Sequence, residues 1–136
     1  MLLSNARSLP LYPEILAGYV QASYTLTGHL TRMSSHTIIL VQYTENYATR
    51  SYLEFPTVAQ AMDALVKMYE HKLKELNPEV KHITYDISDL FNFLDSLQEL
   101  VGLVSNGASY LPKDKSWIQQ SITSHLKGQA IKTSNR

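Results

Sequence analysis

Five histidines, His29, His36, His71, His82 and His125, are the first residues to weigh for chemistry, since imidazole can hold a metal or move protons near neutral pH. They are scattered along the chain. No two have the H-x-x-x-H or H-E-x-x-H spacing that sets a ligand pair on one helix face, and the chain has no cysteine, so a dedicated metal site is not expected. His36 sits in an apolar run without a partner motif, which suits a hydrogen-bonded interface histidine better than a general base. Asp86, Asp89 and Asp95 are candidate paired carboxylates. However, Asp86 and Asp89 stand at the start of a helical pattern, where acids complement the helix dipole, and Asp95 falls on its polar side. Ser88 lacks a G-x-S-x-G context, and the five glycines form no phosphate-cradling loop. No catalytic, cofactor-binding or metal residue is therefore assigned, and no enzyme activity or cofactor is expected. Trp117, at the start of another helical pattern, reads as core or as the lining of a partner groove, because Trp is favoured at binding hot spots. Nine tyrosines in 136 residues also suit a wet interface, which favours binding over catalysis.

The elements that must position these residues fit one domain of this length. Hydrophobic residues make up 44% and charged residues 18%, enough apolar content for a core. Twelve basic residues balance twelve acidic ones, a poor match to nucleic acid, whose phosphates demand clustered Lys and Arg. No apolar run approaches the roughly 18 residues of a membrane span. Residues 1–32 differ from the rest, with Pro10 and Pro13 and one acid, Glu14, and are expected to form a poorly ordered N-terminal extension; Met33 could itself initiate a chain.

From Met33 onward, His36–Tyr43 is a β-branched, apolar run and predicts a strand. Its two faces, His36/Ile38/Leu40/Gln42 and Thr37/Ile39/Val41/Tyr43, are both apolar at the centre, the pattern of a strand covered on both sides. Arg50–Phe55 predicts a second strand. Thr57-Val58-Ala59-Gln60 fits a capping box, in which Gln60 would reach back to the Thr57 N–H. The helix that follows carries Val58, Ala61, Met62, Leu65, Met68, Tyr69, Leu73 and Leu76 along one stripe and ends at Asn77-Pro78. A second helix begins at Asp86 or Ser88, with Ile87, Leu90, Phe91, Leu94, Leu97 and Leu100 on its buried face. Asn106-Gly107 predicts a type I′ hairpin between strands around Val101–Val104 and Ser109–Leu111. Pro112 and Asp114 introduce a last helix carrying Trp117, Ile118, Ile122 and Leu126, stopped at Gly128, with 130–136 as a flexible tail.

The order β-β-α-α-β-β-α predicts an α+β fold: a four-stranded antiparallel sheet with three amphipathic helices on one face. Three helices cover only one side of so small a sheet. The other side still presents apolar residues, and a second copy about a two-fold axis is the simplest cover.

Ser35–Gln42, Met68-Tyr69-Glu70, Asn77-Pro78, the run Ile83-Thr84-Tyr85-Asp86-Ile87-Ser88-Asp89-Leu90-Phe91-Asn92-Phe93-Leu94-Asp95, and Trp117-Ile118 resemble, in order and spacing, the enhancer-of-rudimentary family. The resemblance covers 33–129 and leaves 1–32 without a counterpart. It implies a homodimer through the sheet face, with His36, Ile38, Leu40 and Gln42 at the dimer contact. It also implies a non-enzymatic adaptor, nuclear with the cytoplasm as a second location, whose partners are itself and nuclear transcription and RNA-processing proteins. The roles implied are transcription, splicing, RNA decay, small-RNA processing and cell-cycle control. Of two kinase sites proposed in the family, one maps to Ser51, where Glu54 lies three places on. The other maps to Thr57, where Gln60 replaces the acid, and Thr57 reads as a helix cap. The alternative reading is a small dimeric metabolic regulator or enzyme linked to pyrimidine metabolism. Membrane and direct nucleic-acid partners are not expected.

Overall fold

A computed structural model describes residues 35–134. The expectations for residues 1–32, Met33 and His29 lie outside the described residues. Strand β1 is Thr37–Gln42, β2 is Arg50–Phe55, β3 is Glu99–Ser105 and β4 is Tyr110–Lys113. Helix α1 is Val58–Leu76, α2 is Ile87–Ser96 and α3 is Lys115–Ser134. The strands form one antiparallel sheet in the order β2-β1-β3-β4, so the two hairpins meet where β1 pairs with β3. This is the α+β architecture expected. Among the described residues no helix is long and apolar enough to cross a membrane.

The core lies between the sheet and the helices. Ile39 and Val41 of β1, and Leu53 and Phe55 of β2, are essentially inaccessible, as are Met62, Leu65 and Met68 of α1. Leu90, Phe93 and Leu94 of α2, and Ile118 and Ile122 of α3, complete the layer. Gly102 shares this side of the sheet: a Cβ there would lie 3.9 Å from both Ile118 Cδ1 and Ile39 Cδ1.

The helix starts are set by local chemistry. Thr57 Oγ1 accepts from the Gln60 N–H at 3.2 Å, but the Gln60 side chain does not reach back to the Thr57 N–H. Its Oε1 instead accepts from the Thr57 hydroxyl at 3.2 Å. α1 ends where the Asn77 N–H and side-chain amide donate to Lys74 O and Leu73 O, one residue before Pro78. Asp86, not Ser88, caps α2, and the Asp89 carboxylate accepts from the Asp86 N–H at 3.0 Å. Asp114 caps α3 by accepting from the Trp117 N–H at 2.8 Å.

Three local expectations are overturned. The stripe read through Leu100 overruns α2, which stops at Ser96; Leu97 and Leu100 are buried from an extended link and from β3. Ile87 is exposed, and Phe93 takes the core position. The hairpin between β3 and β4 is not a two-residue type I′ turn, since only Gly107, at φ 94°, has a positive φ among the described residues. Asn106 instead turns the chain with its side chain, accepting from Ala108 N–H at 3.0 Å and Ser109 N–H at 2.8 Å. Finally, α3 continues through Gly128 to Ser134. Glycine inside a helix costs only about 1 kcal/mol relative to alanine, and the Gln129 amide one residue on donates to Asp63 of α1 at 3.4 Å.

Candidate interaction surface

The side of the sheet away from the helices is assembled by the register. Ile38 lies opposite Glu54 and Leu103, and Leu103 opposite Pro112; Leu40 lies opposite Tyr52 and Val101; Gln42 lies opposite Arg50 and Glu99. Because side chains alternate across a strand, all of these share one face. An apolar band of Ile38, Leu40, Tyr52, Val101, Leu103 and Pro112 therefore crosses all four strands. It is open toward the β2 edge: Leu40 is 40% and Tyr52 63% exposed.

Both ends of the band are closed by polar clusters. At one end the His36 ring is hydrogen-bonded through Nδ1 to the Tyr110 hydroxyl at 2.7 Å and lies 3.4 Å from Glu54 through Nε2. The two rings meet edge to face at 5.8 Å between centroids. This cluster joins β2, β1 and β4. At the other end Arg50 Nε donates to Gln42 Oε1 at 2.6 Å, and Arg50 Nη2 reaches both Glu99 oxygens at 3.4 Å. The Arg50 guanidinium also stacks 4.5 Å over the Tyr47 ring.

The residues singled out in the sequence fall in different places. His36, Ile38 and Leu40 stand on the open face. Gln42 points the same way but is only 2% exposed, covered by Arg50 and donating to Thr44 O at 2.6 Å. Its part is to hold Arg50 rather than to present surface. Ser51 lies opposite Val41, so the register turns it to the helix side of the edge strand, where it is half-buried. Trp117 is half-buried on the helix layer, remote from the open face. It lines a cavity of about 460 Å³ with Val58, Ala59 and Met62 of α1 and with Ser121 and His125 of α3. Lys113 Nζ lies 5.3 Å from its ring centroid.

The alternation in Arg50–Phe55 and Glu99–Ser105 carried the signal for Tyr52, Glu54, Val101 and Leu103, which sequence reasoning left unassigned to this face. Lys72 was also missed: it stands among the stripe residues of α1 and is 3% exposed. Burial pulls its pKa down, and the nearby Glu75 carboxylate partly restores it.

The other titratable groups act as fasteners. Asp63 takes Lys67 at 3.0 Å and His125 at 3.5 Å. Burial raises its pKa, but the Lys67 bond and charge, His125 and Gln129 outweigh that and leave it lowered. Burial, with the Glu70 hydrogen bond at 2.8 Å, raises Tyr85. Asp95 accepts from Gln119 at 3.0 Å, tying α2 to α3. Among the described residues no three His, Asp or Glu side chains gather as a metal site.

A family model described as Enhancer of rudimentary matches residues 33–132. Individual relatives agree over the same stretch. An Enhancer of rudimentary homolog from Arabidopsis thaliana is 47% identical over 96 residues, 69% of this chain and 88% of its own length. One from Dictyostelium discoideum is 44% identical over 95 residues, 68% and 95% of the two chains. The Protein enhancer of rudimentary of Drosophila virilis is 42% identical over 99 residues, 71% and 95%. With a matching domain over most of its length and relatives at 42–47% identity, the chain belongs to the enhancer of rudimentary family.

Proposed function

We propose that this protein is a homodimeric nuclear adaptor, joined through the open sheet face and binding segments of transcription and RNA-processing proteins. The observation that carries this reading is the apolar band across all four strands, open at Leu40 and Tyr52 and bounded by His36–Glu54–Tyr110 and Arg50–Gln42–Glu99. An apolar centre with a polar rim is the anatomy of a protein interface. A two-fold axis through the band would let one surface serve both copies. Two copies then offer two equivalent client sites, which raises effective concentration without new contacts at either site. The Trp117 cavity is one such candidate site, and a phosphate on Ser51 would regulate from the edge strand. The dispersed fastener roles of Asp63, Asp86, Asp89 and Asp95 support binding over catalysis.

The test compares wild type with Leu40→Arg. A fluorescent fusion should concentrate in the nucleus, and purification from nuclear extract should recover RNA-processing proteins with wild type and far less with the variant. Equal recovery by a monomeric Leu40→Arg protein would separate client binding from dimerisation and reject the bivalent mechanism.

A further inference from the structure

The two outer edges of the sheet are built differently. The Ser105 N–H donates to His36 O at 2.8 Å, and the Asn106 N–H donates to Ser109 O at 3.0 Å. In an antiparallel ladder, backbone groups of successive residues point alternately to the two sides. Carried along the register, this phase turns Thr37, Ile39 and Val41 toward Phe55, Leu53 and Ser51 of β2. Tyr52 and Glu54 therefore turn their N–H and C=O groups outward. On β4 the outward positions are Tyr110 and Pro112, by the same alternation.

Pro112 has no N–H, so the β4 edge lacks a donor at an outward position and is only four residues long. That edge is blocked. β2 has six residues and no proline. Among the described residues no hydrogen bond from outside the sheet reaches the backbone groups of Tyr52 or Glu54. The Arg50 N–H is already taken by Tyr47 O, which closes the edge at that end. An unprotected edge is a template for one more strand.

We infer that the outer edge of β2 takes an extended segment of a client protein as a fifth, antiparallel strand. The segment reads, in order, basic residue, any, apolar residue, any, acidic residue. This rests on the adaptor reading above and names its docking edge. The side chains of Glu54, Tyr52 and Arg50 face the same way at every second position. An antiparallel strand meets Glu54 first, then Tyr52, then Arg50, and opposite charges or an aromatic–apolar pair directly across favour pairing. A second copy of β2 carries the same order, Arg50-x-Tyr52-x-Glu54, but centred on Tyr52 it would meet the Arg50 N–H held by Tyr47 O at both ends, where a client segment meets it at one.

The probe is a random dodecapeptide display library selected on the immobilised full chain. Enriched peptides should carry the base-x-apolar-x-acid order. Tyr52→Pro should bind them at least tenfold more weakly with an unchanged circular dichroism spectrum, because that N–H is outside the β1–β2 ladder. On wild-type protein, bound peptide should slow hydrogen exchange at the Tyr52 and Glu54 amides, a readout that holds even if the proline variant unfolds. Glu54→Lys should switch the preferred first residue from base to acid. Peptides that leave both amides exchanging freely overturn the inference. If those peptides are lost with Trp117→Ala, the client lies in the helix-layer cavity and the adaptor reading stands. A library that yields no binder sinks both. Peptide-free assembly that survives Leu40→Arg but is abolished by Tyr52→Pro would assign the edge to a second copy and overturn the inference as well.

Discussion

Leu40→Arg isolates the open face from the core, because the neighbouring residue on the strand, Ile39, is wholly inaccessible while Leu40 is 40% exposed. Full burial of a leucine side chain is worth about 2 kcal/mol. Covering the exposed fraction of Leu40 therefore contributes about 0.8 kcal/mol per protomer, or about 1.6 kcal/mol for the two copies. At about 1.4 kcal/mol per tenfold, truncation alone, as in Leu40→Ala, should weaken the dimer roughly tenfold. Arginine adds an unpaired charge on each side of the contact, at about 3–5 kcal/mol each when nothing compensates it. Some of that is relieved if the guanidinium reaches the rim at Glu54 or Glu99, so a loss of at least about a thousandfold is expected. The isolated protomer should be little affected, since the new side chain can extend into solvent. Sedimentation velocity over a concentration series should show dimer for wild type, a weakened dimer for Leu40→Ala and folded monomer for Leu40→Arg. A Leu40→Arg protein that stays dimeric with wild-type affinity would refute the assignment of this face.

Three further outcomes follow from the same geometry. Ser51→Asp, which places a charge on the half-buried helix side of β2, should weaken dimerisation or client binding; unchanged sedimentation and client affinity would reject a regulatory role for that hydroxyl. Asp89→Ala removes the acceptor for the Asp86 N–H and should lower stability by about 1 kcal/mol, read as a few degrees in the thermal midpoint. Asp63 has a folded pKa below its ordinary 3.8, so its contribution is present above that value and is lost as pH falls through the folded pKa. Thermal melts from pH 2 to 6 should accordingly show a shallower acid limb for Asp63→Asn than for wild type.

The sequence made the frame readable where one local signal acted alone. The β-branched run at 37–41 has no competing pattern, and Thr57 and Asp86 are caps whose partners lie three residues away. It misled where two signals coincide. Leu97 and Leu100 continue the helical period of α2, yet they are buried because β3 must start at Glu99 to pair with Gln42. Asn106-Gly107 satisfies a type I′ turn by composition, but the Asn106 side chain found two backbone donors and settled a longer loop. Gly128 signals a helix end, and a tertiary bond from Gln129 to α1 overrides it. The open face was inferred from β1 alone; its full width depends on which strands neighbour β1, and that order is not a local property. Gln42 shows the same limit, since its burial comes from Arg50 eight residues away in sequence.

At 1.5 Å per residue, the twenty residues of α3 make a rod about 30 Å long. Ile118 and Ile122 anchor its first half in the core, Leu126 packs against the core further on, and beyond Gly128 the rod is steadied against α1 through Gln129 and Asp63. That rod runs along the back of the molecule, with the sheet between it and the open face. A label attached to an exposed position of this helix, such as Ile131, would ride on the outer side and leave the sheet unobstructed.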